Sequence, residues 1–245
     1  MRTPSLYVDR ASALHELHPS VKLAGLFALF VLAFRSASLS AAFAVAGGVG
    51  LLLVGSGGTT NVVRLRFLFA AVFVMTFVLW CFFYTEGDRP YPGGAPAYAL
   101  LVALKLTTLL GVGVLFLSTT KVEEFTYALV RLGVPYRFGF AVSLSFRLVP
   151  VFLDAALTVV EAQKCRGLSF DEGSPFERLR RYAAVIVPVF MSALRRADHM
   201  AQALEARGFQ RTDRPSVYRT YAFRPRDAAA LVVLAAALVF EASFG

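Results

Sequence analysis

An arginine that directly precedes a glycine occurs at two places in this chain, and at both it closes a helical sequence. The residues concerned, with the small residue before each arginine, are Cys165, Arg166, Gly167, Ala206, Arg207 and Gly208. A guanidinium is a rigid fork of donors that fits a carboxylate, and small neighbours let a partner surface come close. A single arginine before a glycine cap is typical of an ordinary helix end, where the helix dipole favours a cation. Two copies of the phrase in one chain indicate protein recognition.

Other residue types that carry out chemistry are few and scattered. His15 and His18 are spaced as one helical face would place them, but two ligands make a weak metal site, so a capping or interfacial role before Pro19 is favoured. Lys105 lies about two turns inside an apolar segment, where a lysine pairs structurally, snorkels to the interface or faces the bundle interior. His199 lies among polar residues and is predicted to be solvated.

The motifs of ATP hydrolysis and of covalent catalysis are missing from the sequence. No Gly-x-x-x-x-Gly-Lys-Ser/Thr loop is present, and the glycines of residues 55–60 have no lysine beside them. No Ser/His/Asp set and no carboxylate pair lies within the apolar segments. Cys81 is in an apolar segment and Cys165 in a basic one, so no disulfide is expected. The chain is predicted to be non-catalytic, without a metal or cofactor of its own.

The composition is that of an integral membrane protein. Of the 245 residues, 57% are hydrophobic, and the mean hydropathy is +0.62. A net charge of +9 suggests nucleic acid as a partner for a soluble protein, but here the positive-inside rule accounts for it. The first 20 residues are polar, so no cleavable signal peptide is expected.

Apolar segments predict about five transmembrane helices. They cover residues 21–34, 37–54, 67–84, 98–117 and 228–240. The first is short, and Lys22 and Arg35 are expected to extend it by reaching opposite interfaces. Residues 138–153 and 182–194 are apolar enough to dip into the bilayer. Because a proline interrupts each of them, they are interpreted as surface or half-buried helices.

The basic residues are concentrated in one part of the chain. Arginines recur every few residues from Lys121 to Arg224, so the positive-inside rule places this region in the cytoplasm. The acidic loop 85–97 is then external, with the N-terminus cytoplasmic and the C-terminus external. At the start of the basic region, Thr120 and Glu123 predict a capping box that opens a helix ending at Leu132.

Two longer helices follow in the basic region, from about Tyr136 to Arg166 and from about Pro175 to Arg207. Pro150 is expected to kink the first of them, and each ends at a glycine cap. Each helix has an apolar stripe of residues spaced by three and four. The stripe of the first helix is Phe152, Ala155, Val159 and Ala162. The stripe of the second is Phe190, Leu194, Ala197, Ala201 and Leu204. Both arginine-ended helices can therefore present those ends at one cytoplasmic surface.

The predicted architecture is an all-α integral membrane protein of the cell membrane, crossing it several times. Residues 1–120 contain four transmembrane helices, residues 121–225 form the cytoplasmic helical region with both Arg-Gly phrases, and residues 226–245 form the last transmembrane helix.

These features resemble the transmembrane (T) component of energy-coupling factor transporters, the family that includes the cobalt transport protein CbiQ. The resemblance extends over nearly the whole chain and is carried by His15–Leu23, Ser118–Phe125, Leu132–Pro135, Phe146–Pro150, Glu161–Gly167 and Ala203–Gly208. Cys165 stands where the family usually has alanine. His18 stands where it more often has an acidic residue.

The resemblance implies a membrane scaffold without enzymatic activity, in which two to three of the long cytoplasmic helices are coupling helices. Their Arg-Gly ends dock into grooves on two ATP-binding-cassette ATPase subunits, which use the ATP. Arg166 and Arg207 then make the contact, and close approach is allowed by Cys165, Gly167, Ala206 and Gly208. A separate substrate-binding membrane protein, the S component, sits against the hydrophobic surface. The cargo is a vitamin or a transition-metal ion, such as cobalt, nickel or biotin, and no nucleic acid is bound.

Two alternatives stay open from the sequence. A conventional ATP-binding-cassette permease subunit normally has one coupling helix, whereas this chain has two arginine-ended helices. A stand-alone transporter usually has broken helices and polar residues at the bilayer midplane, which the first four spans do not clearly show. A membrane enzyme is disfavoured because, apart from Lys22 at the start of the first span, Lys105 is the single charged residue inside those spans.

Overall fold

The computed structural model of the protein describes residues 14–84, 91–168, 174–209 and 221–244, and these residues are helical apart from short turns and connections. The first 13 residues and part of the predicted external loop, residues 85–90, lie outside this range. The helices are α1 Pro19–Arg35, α2 Leu39–Ser56, α3 Thr59–Arg64, α4 Arg66–Phe83, α5 Gly94–Thr119, α6 Val122–Arg131, α7 Tyr136–Cys165, α8 Pro175–Ala206 and α9 Pro225–Phe244. The predicted all-α class is confirmed.

Four of the described helices, α2, α4, α5 and α7, are long and apolar enough to cross a membrane. α4 has no buried residue, and Phe67 and Phe82 on it are 75% and 82% exposed, as expected for a helix with much of its surface in contact with lipid. The shorter α1, of 17 residues, and α9, which contains Asp227 and Glu241, are not among these four. α7 includes residues 138–153, whose entry into the bilayer the sequence leaves open.

The apolar core of the first part of the chain lies between α2 and α5. Gly111 on α5 faces α2, and a Cβ at this position would be in van der Waals contact with Cγ1 of Val49 on α2 (3.4 Å). α4 packs along α5, and α1 packs on α5, α6 and α9. The buried residues of this core are Val49, Leu53, Val112, Val114 and Leu115.

The chain divides into two compact units. The first contains residues 1–139 and 221–245, and the second contains residues 140–220. The sequence prediction divided the chain after residue 120. In the structure α6 belongs to the first unit because it packs on α1.

The capping box predicted at Thr120 and Glu123 is wrong. Thr120 is the C-cap of α5, with an extended backbone (φ −119°, ψ 124°), and Lys121 is the N-cap residue of α6, with no side-chain capping bond. α5 continues to Thr119, beyond its predicted end at Leu117, and the Thr120 hydroxyl makes no hydrogen bond among the described residues, so it caps neither helix.

Candidate functional site

The first Arg-Gly phrase forms a Schellman turn at the end of α7. The backbone N–H of Gly167 donates to the carbonyl of Lys164 (3.0 Å), and the N–H of Leu168 donates to the carbonyl of Gln163 (3.1 Å). Gly167 has a φ of +87°, which confirms the predicted left-handed glycine. Arg166 therefore occupies the C-cap position of the helix.

The second phrase has the same backbone geometry at the end of α8. The N–H of Gly208 donates to the carbonyl of Glu205 (2.9 Å), and the N–H of Phe209 donates to the carbonyl of Leu204 (2.9 Å). The φ of Gly208 is +75°. Arg207 is therefore at the C-cap, at the position that corresponds to the arginine of the first phrase.

A third turn of this kind provides a comparison within the chain. At the end of α6, Gly133 has a φ of +104°, and its N–H donates to the carbonyl of Val130 (3.2 Å). The N–H of Val134 donates to the carbonyl of Leu129 (3.2 Å), so the hydrogen bonds are those of the other two turns. The C-cap residue here is Leu132. Since the same turn forms with leucine at the C-cap, the turn itself does not require arginine.

The Arg-Gly ends are accessible to a partner. Arg166 and Arg207 are exposed, as are Cys165 and Ala206, and a Cβ added at Gly167 would meet no atom within 4 Å. In the parts of the chain that the structure describes, neither guanidinium is in an ion pair. Both can therefore bind a carboxylate of another protein.

Contacts within the second unit place the two Arg-Gly ends apart. The rings of Phe140, near the start of α7, and Phe209, beyond the end of α8, are 4.6 Å apart. Near the other end of α7, Gln163 Nε2 donates to the carbonyl of Ala184 on α8 (3.5 Å). α7 and α8 therefore run antiparallel, and the stretch of α7 between these two contacts is about 35 Å long. The two phrases therefore lie at opposite ends of the helix pair.

The apolar stripe of α8 is largely uncovered. Phe190 is 61% exposed and Leu194 is 44% exposed, and Ala197 and Ala201 are exposed as well. Leu204, the last member of the stripe, is half-buried. An apolar surface of this kind typically faces a membrane or another protein.

The sequence did not predict the buried ion pair between Lys22 and Glu124. Lys22 Nζ donates to Glu124 Oε2 (2.7 Å), to the carbonyl of His15 (2.8 Å) and to the carbonyl of Thr119 (3.0 Å). The side chains of the two charged residues are only 4% and 14% exposed. The prediction that Lys22 reaches the membrane interface is therefore wrong, since its ammonium group joins α1, α5 and α6 from within. The only sequence signal was that its partners lie in two of the phrases that carry the family resemblance.

His18 caps α1, which confirms the capping interpretation. Its Nδ1 accepts a hydrogen bond from the N–H of Ser20 (3.2 Å). Its own N–H donates to Asp227 Oδ1 (2.7 Å), and Asp227 Oδ2 accepts from the N–H of Arg224 (2.7 Å). Asp227 is 1% exposed, so this carboxylate joins the beginnings of α1 and α9 inside the protein.

The other residues considered from the sequence have structural or surface positions. Lys105 Nζ donates to the carbonyl of Phe34 (3.2 Å). Of the three alternatives that the sequence left open for Lys105, this contact is the structural pairing. His199 is exposed. Cys81 and Cys165 are free thiols. Among the described residues, no three His, Cys, Asp or Glu side chains are grouped as metal ligands.

Comparison with known proteins identifies the family. The family of CbiQ, described as "Cobalt transport protein", matches residues 10–218, which include both Arg-Gly ends. The chain belongs to this family. The resemblance inferred from the sequence is thereby confirmed, and with its apolar helices the chain is a multi-pass membrane protein.

Individual proteins similar to this chain are named as parts of transporters. The "Energy-coupling factor transporter transmembrane protein EcfT" of Bacillus selenitireducens is 29% identical over 97% of this chain and 93% of its own length. The protein of the same name from Bacillus subtilis is 28% identical over 96% of both chains. A protein of Bifidobacterium longum, whose name describes an ABC transporter ATP-binding protein, is 33% identical over 58% of this chain but only 20% of its own length.

Proposed function

We propose that this chain is the energy-coupling scaffold of an energy-coupling factor importer, linking two ATPase subunits to a substrate-binding membrane subunit. One observation carries the proposal: Arg166 and Arg207 occupy equivalent, exposed C-cap positions in a type of turn that forms with Leu132 elsewhere in the chain. The fold does not require these two arginines, and recognition of a partner explains both.

Two ATP-binding-cassette ATPases are the partners that fit this arrangement. Two contact points at opposite ends of α7 and α8 suit two partner subunits better than one. The relatives named as transporter transmembrane proteins and the relative named as an ATP-binding protein support ATPases of this class. Because the chain has no phosphate-binding loop, hydrolysis of ATP belongs to the partners and this chain is non-catalytic.

The substrate-binding subunit is proposed to lie against exposed apolar surface, of which the stripe of α8 is the clearest example. A vitamin or a transition-metal ion, such as cobalt or nickel, is the proposed cargo, in line with the description of the family. The identity of the cargo would be determined by that second membrane protein.

The basic region is proposed to face the cytoplasm, with α7 lying along the membrane surface. α7 is apolar enough to span, but Arg147 lies in its middle and is exposed. An exposed guanidinium at the centre of a span would be in hydrocarbon, which is strongly unfavourable. A surface position leaves Arg166 on the cytoplasmic side with the rest of the basic residues.

The docking proposal is tested by co-purification of the ATPases with tagged variants. An interfacial arginine contributes about 2 kcal/mol, or roughly 30-fold in affinity. We therefore expect Arg166→Ala and Arg207→Ala each to weaken capture and transport, and the double variant to lose both ATPases while still inserting in the membrane. Lysine at these positions should give an intermediate result because it lacks the planar fork.

The matched control is the double variant Arg195→Ala and Arg196→Ala, which removes the same charge from exposed positions on α8. It should capture the ATPases as the unmodified protein does. Capture of both ATPases at the unmodified level by the Arg166 and Arg207 double variant would contradict docking. Transport by the chain alone in liposomes would instead indicate a stand-alone transporter.

A further inference from the structure

The first unit contains an apolar cavity that no proposed partner explains. It has a volume of about 350 Å³, is partly open, and lies among α1, α2, α5 and α9. Its size falls in the range of small-molecule pockets. Val21, Leu26 and Val233 are typical of its lining.

The few polar groups in the lining are already hydrogen-bonded. Lys22 Nζ is bound to two carbonyls and to Glu124, and Thr119 Oγ1 donates to the carbonyl of Leu115 (2.8 Å). A cavity without available polar partners holds water poorly. Hydrocarbon is therefore the chemistry that fits it.

Two arginines lie beside this cavity. Nη1 atoms of Arg224 and Arg226 are 3.4 and 3.5 Å from one carboxylate oxygen of Glu16. Glu16 directly precedes Leu17 and follows Leu14 by two residues, and both leucines line the cavity. The guanidiniums share the Glu16 carboxylate and are 60% and 69% exposed, so each keeps N–H donors available to a phosphate.

Arg226 also lies on the same face of α9 as two residues that line the cavity. Arg226 precedes Ala229 and Ala230 by three and four residues, which places all three on one helical face. Ala229 and Ala230 line the cavity. The apolar space and the cationic groups are therefore neighbours on one side of the bundle.

We propose that this cavity binds an acyl chain of an anionic phospholipid, whose phosphate is held by Arg224 and Arg226. A phospholipid joins hydrocarbon to a phosphate, which is the combination that the cavity and its arginines present. Guanidinium forks bind phosphate oxygens well, and basic pockets between membrane helices bind lipid headgroups. The inference requires only that the chain is embedded in a membrane, and it does not depend on the docking of ATPases.

Lipid retention by the purified full-length protein tests the proposal. After delipidation in detergent, long-chain phosphatidylglycerol or phosphatidylcholine is added, and bound lipid is counted by native mass spectrometry alongside the melting temperature. We expect phosphatidylglycerol to be retained and to raise the melting temperature, with much weaker effects of phosphatidylcholine. Replacing Arg224 and Arg226 by glutamine should weaken phosphatidylglycerol binding by about tenfold or more, because charge-assisted bonds are lost.

Two matched controls separate site binding from general effects. Arg64→Gln with Arg66→Gln removes the same charge from exposed positions on α3 and α4 and should leave retention unchanged. Ala230→Phe fills the cavity and should displace the lipid, whereas Ala228→Phe, at an exposed position outside the lining, should not.

Four outcomes would overturn the proposal. Phosphatidylcholine could be retained as strongly as phosphatidylglycerol, or the two arginine pairs could have equal effects. Glycerol phosphate alone could stabilise the protein as much as the long-chain lipid, which would leave the cavity without a role. Ala230→Phe could leave lipid retention intact while releasing a co-purified small membrane protein, which would assign the cavity to a protein partner.

Discussion

Three helix ends, at Gly133, Gly167 and Gly208, show which part of the turn depends on the glycine and which depends on the residue before it. Each glycine has a positive φ, which costs other residues about 1 kcal/mol. The preceding position holds leucine in one turn and arginine in two. The glycine is thus explained by the local backbone, whereas the backbone does not require the arginine, which we propose contacts a partner protein.

At the residue scale, the buried ion pair yields a prediction. Lys22→Met should lower the free energy of unfolding by about 3–5 kcal/mol, because the Glu124 carboxylate is left largely buried without its cation. Denaturant unfolding in detergent measures this. Lys164→Met removes a charge from an exposed position on α7 and should change stability by less than about 0.5 kcal/mol.

The double variant Lys22→Met and Glu124→Leu tests the cause. Because it leaves no unpaired buried charge, it should regain most of the lost stability. Equal destabilisation of the single and double variants would show that the loss comes from packing instead.

Separation along the chain explains which residue roles could be predicted. The glycine caps and the capping role of His18 depend on neighbours a few residues away, so the sequence indicated them. Lys22 and Glu124 are 102 residues apart, and His18 and Asp227 are 209 apart, so these pairs exist only after the helices have packed. A lysine near the start of an apolar segment gives no local sign of such a partner.

At the element scale, hydropathy and helix breakers predicted most of the helices, including α7 and α8 to within about a residue. The spacing of three and four predicted the apolar stripe of α8 but could not show what covers it. Phe190 and Leu194, the first two residues of the stripe, are exposed. The short α3, from Thr59 to Arg64, begins within the glycine-rich residues 55–60. It contains buried Asn61, whose Nδ2 donates to Ser118 Oγ (2.8 Å), so a tertiary contact supports a helix that local composition did not indicate.

The junction of α6 and α7 yields a prediction about packing. A Cβ at buried Gly139 would collide with Cγ2 of Val130 and approach Cγ2 of Thr126 to 3.4 Å. Gly139→Ala should therefore destabilise the protein by about 1–3 kcal/mol, although alanine is the better helix former. The melting temperature in detergent measures the effect.

A rescue and a control accompany this variant. Adding Val130→Ala should remove the collision and recover part of the stability. Gly50→Ala on α2 meets no atom within 4 Å and should be neutral or stabilising. A melting temperature of Gly139→Ala equal to that of Gly50→Ala would contradict a tight junction.

At the scale of the whole molecule, composition predicted a helical membrane protein, but it could not predict how the helices divide into units. Because α6 is amphipathic and has Arg131 in its last turn, the sequence prediction placed it in the cytoplasmic helical region, residues 121–225. Its contact with α1, through Lys22 and Glu124, places it in the first unit instead. Both Arg-Gly ends lie in the second unit.

The orientation of the whole chain can be tested with its two native cysteines. Cys165 is exposed beside Arg166 and is proposed to face the cytoplasm, whereas Cys81 lies in α4, which is proposed to lie in the membrane. Because maleimides react with thiolates in water, an impermeant maleimide should label Cys165 in inside-out vesicles only. Cys165→Ala should abolish this labelling, and adding Pro92→Cys, an exposed site in the proposed external loop, should restore it in right-side-out vesicles only. Labelling of Cys165 from the external side would mean that α7 crosses the membrane, and the Arg166 end could then not contact a cytoplasmic ATPase.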